Sequence, residues 1–263
     1  MTDEAEPYVL REDHSGICIL TLNRPKARNA LSGAMIEALS DRLSAIASDT
    51  NVRVVILEGA GPVFCSGHDL KELEATTDHD KIQRLFSRCS EVMMQMVRLP
   101  QPVIAKVKGL ATAAGCQLVA TADLAIAGNA AKFATPGVNI GLFCTTPSVA
   151  VGRAITRKKA MEMLLTGQPV TAAEAEKMGL INSAVPDQDL DATVNALAKL
   201  LTTKSAHILA LGKKAFYAQI EKPMAESYVY ASAVMAQNML EEDCSEGLSA
   251  FVEKRAPKWG AAH

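Results

Sequence analysis

Twice in this chain an apolar run stops at small residues and passes straight into a helical segment, at FCSGHDL (64–70) and at ATAAGCQL (111–118). A strand that turns directly into a helix leaves the first backbone N–H groups of that helix without intrahelical partners. Such groups suit an anion, or an oxygen on which negative charge develops. Taken alone, each junction is more simply explained as close packing of a helix on a strand. What surrounds them decides the reading.

The segment PYVLREDHSGICILTLN (7–23) holds two short apolar stretches around a charged turn at Gly16, the pattern of a β-hairpin. A basic, Pro-started loop, RPKARNALS, follows, and Ser32 is placed to cap the amphipathic helix that begins there. RVVILEG (53–59) is a continuous apolar run ending in Gly, a buried strand. Ile82, Leu85, Phe86, Cys89, Val92, Met93, Met96 and Val97 recur at helical spacing, so these methionines are core packing and not ligands. QPVIAKVKG (101–109) and DLAIAG are further strands on either side of a small-residue helix at 114–122. From about residue 148 onward the pattern turns helical, most clearly over 199–263. The expectation is an α/β core over 1–198 and a helical region over 199–263.

Composition removes several function classes. The 263 residues are 49% hydrophobic and 21% charged, ordinary values for a globular chain. A net charge of −2 gives no basic footprint for nucleic acid, and no apolar run approaches the ~20 residues of a membrane span. The six cysteines are scattered, without a C-x-x-C pair or a His at ligand spacing, so neither a disulfide framework nor a metal site is expected. The acidic start MTDEAEP lacks the apolar stretch of a secretory signal. Neither junction is a dinucleotide-binding G-x-G-x-x-G or a phosphate-binding G-x-x-x-x-G-K-[ST] loop, and neither is a G-x-S-x-G elbow. Ser66 beside His68 is weak support for a serine hydrolase.

In order along the chain, RPKARNALS, VVILEGAGPVFCSGHDLKEL, PVIAKVKGLATAAGCQLVATADLAIA, KFATPGVNIGL, AITRKKAMEMLLTGQPVTAAEAEKMGLINSAV and EGLSAFVEKR resemble the enoyl-CoA hydratase/isomerase (crotonase) family. The resemblance covers roughly 8–257. It implies a crotonase fold, a superhelical core of repeated ββα turns, with a helical C-terminal region that builds homotrimers, often paired into homohexamers. It implies an acyl-CoA thioester as ligand, coenzyme A entering as part of that ligand and no separate cofactor, and a place in fatty-acid metabolism in the mitochondrial matrix.

By the same resemblance the backbone N–H groups of His68 and Ala114 hold the thioester oxygen. Ser66, Asp69, Leu70 and Lys71 run along the pantetheine and adenine portions, and Lys26 and Arg28 meet the CoA phosphates. Phe251 and Lys254 match late-helix positions that help enclose CoA, sometimes across a subunit boundary. Two glutamates manage the protons of hydration in this family. At the first position this chain reads AAGCQ, giving Gln117, and at the second it reads PG, giving Gly137. The further aspartate of dienoyl-CoA isomerases corresponds to Thr145. Asp123 occupies a position read as structural, and His14, His79, His207 and His263 carry no functional signal.

An amide is no proton acceptor at neutral pH, and each acid–base group is worth roughly 10²–10⁴ in rate. The leading expectation is therefore an acyl-CoA-binding member with weak or altered hydratase/isomerase activity. Restoring glutamate at both positions is expected to raise hydration. One alternative is an active acyl-CoA decarboxylase or thioester hydrolase that uses His68, the other a non-catalytic oligomeric scaffold.

Overall fold

The computed structural model describes residues 6–260; the first five residues of the acidic start, and His263, lie outside them. Ten strands form two sheets. They are β1 (Val9–His14), β2 (Ile17–Leu22), β3 (Val54–Gly59), β4 (Val63–Cys65), β5 (Val103–Val107), β6 (Leu110–Thr112), β7 (Leu124–Gly128), β8 (Lys132–Ala134), β9 (Val170–Thr171) and β10 (Ser183–Val185). The larger sheet runs β1-β2-β3-β5-β7-β10, with every neighbouring pair parallel except the β1–β2 hairpin. The smaller runs β4-β6-β8-β9, parallel except for β8–β9. The helices are α1 (Gly33–Ala47), α2 (Leu70–Glu74), α3 (His79–Arg98), α4 (Ala114–Thr121), α5 (Thr145–Ala154), α6 (Arg157–Thr166), α7 (Ala172–Met178), α8 (Leu190–Thr202), α9 (Ala206–Gln219), α10 (Met224–Asn238) and α11 (Glu242–Glu253).

The hairpin forms at the expected turn, pairing Val9 with Leu22 through His14 with Ile17. Ser32 caps α1, its hydroxyl accepting the Met35 N–H at 3.3 Å. Three times a longer strand is followed by a three-residue strand and then helix (β3-β4-α2, β5-β6-α4, and β7-β8 with a short 3-10 turn before α5), which is the repeated ββα turn. The strands do not end near residue 148. β9 closes the smaller sheet and β10 extends the larger one beside β7. Each is too short for alternation to register against the helical pattern around it.

The larger sheet is covered on both faces, which explains its continuous apolar runs. Along β3, Val54 and Ile56 pack with Leu190, Val194 and Ala198 of α8. Val55 and Leu57 point the other way, into the main core with Leu39 and Leu43 of α1 and Met93 and Met96 of α3. The anticipated 198/199 division falls inside α8, whose Leu190–Ala198 face lies on the sheet.

Asp123, just before β7, ties the late helices to this core. Its carboxylate accepts the Val103 N–H at 2.7 Å, pairs with Lys213 of α9 at 2.7 Å and accepts the Tyr217 hydroxyl at 3.0 Å. Lys213 also donates to the Met96 and Gln101 carbonyls at 2.8 and 3.0 Å, so one ammonium joins α9, the end of α3 and the approach to β5. Its side chain is 7% exposed and that of Asp123 16%. Burial pulls the Lys213 pKa down while Asp123 pulls it up. Removing one partner of such a pair strands a buried charge. Asp123→Asn is expected to cost about 3–5 kcal/mol, read as a lower urea midpoint. A loss under about 1 kcal/mol, the worth of an exposed pair, would mean that α9 is held by its apolar contacts alone.

Candidate active site

The two Gly-rich junctions meet. Gly67 has φ +88°, a backbone few side chains accept. A Cβ built there would stand 2.8 Å from the Ala113 Cβ and 3.3 Å from the Ala114 nitrogen. Ala113 itself has φ +49° and ψ −117°, a strained conformation for a residue with a Cβ, held in part by its N–H donating to the Ala134 carbonyl at 2.9 Å. This bend starts α4. Among the described residues, no acceptor takes the His68 N–H or the Ala114 N–H.

A second lacing places the basic loop beside this bend. Leu31 pairs with His68 as a parallel bridge, its N–H donating to the Gly67 carbonyl and its own carbonyl accepting the Asp69 N–H. The Ser66 N–H donates to the Arg28 carbonyl at 3.1 Å. Lys26, Arg28 and Lys71 are exposed, and none has an ion-pair partner among the described residues. Asp69, expected along the ligand path, also has a role within the loop. Its carboxylate caps α2 through the Lys71 N–H and pairs with Arg24 at 3.1 Å, so it orders the loop.

Ala114, His68, Ser66 and Leu70 face a chamber of about 430 Å³, closed opposite by Phe86 and by the segment Pro136–Pro147. Gly137 and Thr145 are on that wall. Among the described residues, no Asp, Glu, Lys or Arg lines the chamber, and its titratable groups are His68 and Cys144. Both His68 ring nitrogens are buried without a satisfactory hydrogen-bond partner, and the ring meets Phe86 edge-on at 4.9 Å between centroids. Burial pushes its pKa down to about 4, the Leu31 carbonyl opposing only in part. Burial likewise raises the Cys144 thiol. Both groups are neutral at pH 7.

The chain's similarity to known proteins follows this geometry. The family description enoyl-CoA hydratase/isomerase matches residues 12–262. The chain belongs to the enoyl-CoA hydratase/isomerase family. It is 46% identical over 257 residues to the rat mitochondrial enoyl-CoA hydratase domain-containing protein 3, covering 97% of this chain and 86% of the relative. The crystal structure of an enoyl-CoA hydratase from Mycobacterium smegmatis superposes with a TM-score of 0.95 at 48% identity, covering 97% of this chain and 99% of that one. The human enoyl-CoA hydratase domain-containing protein 3 superposes at 0.93 and 44% identity, covering 96% of this chain and all of the other.

Among the residues singled out by the resemblance to this family, Ser66, His68, Leu70, Ala114 and Gly137 come together on the chamber. Gln117 lies one turn into α4, 3% exposed, its Oε1 buried and unpartnered, and it is not among the lining residues. Phe251 and Lys254 sit at the end of α11, away from the chamber lining, Phe251 being 85% exposed. Phe86, assigned to the core from its helical spacing, proves to be a chamber wall. Nothing in the spacing distinguishes those two positions on an amphipathic helix.

Gly137 corrects the expectation that glutamate can simply be restored there. A Cβ at 137 would fall 2.0 Å from the Leu142 carbonyl oxygen and 2.9 Å from the Cys144 sulfur. The wall has closed over the room a side chain needs.

His68 gives a direct check. Its folded pKa lies below the ordinary 6.5, so as pH falls below 6.5 the unfolded chain binds the proton first. Stability from this group is therefore full above pH 6.5 and declines as pH falls toward 4. The His68 imidazole signals in a ¹⁵N–¹H NMR titration are expected to stay neutral from pH 8 to 5. A midpoint near 6.5 would show that water reaches the ring.

Proposed function

We propose that this chain binds acyl-CoA thioesters, with the thioester oxygen on the His68 and Ala114 N–H groups, and that its hydratase/isomerase activity is weak or altered. The observation that carries this reading is the chamber itself, two backbone donors at one end and no carboxylate anywhere on its lining. Donors aimed at a thioester oxygen withdraw electron density and acidify the neighbouring carbon. The loss of one such donor typically costs about 2.7–4 kcal/mol of transition-state stabilisation. Protons must then be moved, and here a buried thiol and an imidazole with a pKa near 4 are the only titratable groups in reach. Neither replaces a carboxylate pair, which supports retention of binding with loss of efficient hydration. Gln117 occupies one acid position and cannot accept a proton.

The rest of the ligand follows the surface. Lys26 and Arg28 are assigned to the CoA phosphates, and Ser66, Leu70 and Lys71 to the pantetheine and adenine side, Asp69 holding the loop they share. Phe251 and Lys254 are assigned to the CoA of a neighbouring subunit. Tyr228, Val229 and Met235 of α10, Met239 just after it, and Phe251 and Val252 of α11 are exposed, apolar area that supports assembly into a trimer or hexamer. No helix among the described residues is long and apolar enough to cross a membrane. The mitochondrial location is carried over from the names of the rat and human relatives, and the matrix is proposed with it. The M. smegmatis chain is as similar and comes from an organism without that compartment, so the location rests on those names alone.

Calorimetry with butyryl-CoA is expected to give binding that weakens in Arg28→Ala and in Lys71→Ala, by more at low salt than at high. Equal affinity in the parent and both variants would remove the phosphate assignment. Turnover of crotonyl-CoA is expected to fall orders of magnitude below that of a two-glutamate hydratase. Gln117→Glu with Gly137→Glu is expected to lower stability rather than restore hydration, because the Leu142 carbonyl must move. Robust hydration by the unmodified chain would show that some other group manages the protons. Light scattering at micromolar concentration is expected to give at least three times the monomer mass, and a monomeric mass would reject the assembly.

A further inference from the structure

A second hollow lies against the chamber. An open groove of about 810 Å³ runs along α3, its lining including the apolar Ile82 and Met94 and the charged Glu91 and Arg98. Phe86 and Thr146 line both this groove and the chamber. The wall between the two is therefore one side chain thick, with Phe86 presented by α3 and Thr146 by the first turn of α5. Both residues are half-buried, as a partition with space on each side requires.

The chamber's own surface says what it holds. Leu70, Ile140, Leu142 and Phe143 line it and remain between 40% and 60% exposed, so apolar area waits to be covered. A ligand group carrying charge finds no ion of opposite sign there. A carboxylate buried without a partner is strongly disfavoured.

We propose that the chamber takes an uncharged acyl chain, and that Phe86 with Thr146 sets how long that chain can be by walling the chamber off from the α3 groove. This rests on the thioester reading above. With the carbonyl held at Ala114 and His68, each added methylene buries more of the apolar lining until the chain meets Phe86. Affinity then rises by about fourfold per methylene, the equivalent of roughly 0.8 kcal/mol, and levels off at the partition. Removing the phenyl ring joins the two hollows and lets longer chains continue into the groove. A bulkier residue at 146 thickens the wall from the other side.

The measurement is the ratio of dodecanoyl-CoA to butyryl-CoA affinity, by calorimetry below the micellar concentration, in the parent, Phe86→Ala and Thr146→Trp. The ratio is expected to rise by about tenfold or more in Phe86→Ala, some two methylenes' worth, and to fall in Thr146→Trp. Phe86 touches the His68 ring, so Phe86→Ala alone could act by loosening that ring. Thr146→Trp tests the wall without that contact. A ratio unchanged in both variants, or shifted the same way in both, overturns the partition. Glutaryl-CoA is expected to bind at least about tenfold more weakly than pentanoyl-CoA, and equal affinities overturn the selection against charge. If the parent binds butyryl-CoA and the ratios fail, the length inference alone is wrong. If the parent binds no CoA ester, the thioester reading is wrong.

Discussion

The site depends on a fully buried amide. Asn29 sits in the basic loop with φ +52°, its side chain donating to the Ala60, Val63 and Phe64 carbonyls and accepting the Arg24 N–H at 2.9 Å. Those contacts fasten the turn that carries Lys26 and Arg28 to the segment entering β4. Two residues on, Leu31 bridges to His68, and Asp69 closes the ring by pairing with Arg24. A neutral hydrogen bond is worth about 0.5–1.5 kcal/mol net, but an unmade one at a buried carbonyl costs about 1–3. Loss of this amide would leave three carbonyls without that donor and release both the cationic loop and the His68 donor together. The loop assigned to ligand charge and the junction assigned to ligand carbonyl are thus both tied to one polar side chain.

Long elements were legible because each buries apolar residues over many positions. α1 and α3 follow from the period of their apolar residues and β3 from a continuous apolar run, and Ser32 marks the start of α1 correctly. What escaped is short. β4, β6, β8, β9 and β10 have two or three residues each, and their pairing is decided by neighbours far away in sequence rather than by alternation within them. β10 in particular is read from its register with Ile126, Ala127 and Gly128, contacts that no local pattern encodes. The ββα repeat came instead from resemblance to a family.

Of the site, the two Gly-rich junctions were legible only together, since each alone reads equally well as close packing of a helix on a strand, and it was the resemblance to a family that joined them. The roles of charged residues were less so. The resemblance places Asp69 along the ligand path, while its pairing with Arg24, 45 residues away, is a contact that no local pattern encodes. Gln117 and Gly137 stood out as missing acids, yet only the structure separates them. One keeps a buried polar side chain beneath the chamber, and the other has no room for any side chain. Phe86 belongs to the same helical stripe as Met93, and only the hollow beside it shows the difference.

The same wall bears on the proposed chemistry. A lining without charged side chains would let the two backbone donors act on a thioester oxygen with less screening than in water. Burial of the two groups themselves raises the Cys144 thiol and lowers the His68 imidazole, so each is held neutral at pH 7. A carboxylate would have to enter from Gly137, where the Leu142 carbonyl accepts no Cβ within 2.0 Å. Moving that carbonyl displaces Leu142, and Ile140 and Phe143 with it, which belong to the apolar lining proposed to carry an acyl chain. On that proposal, the backbone of 137–147 that shapes a surface for the chain is the same backbone that leaves no room for an acid at 137.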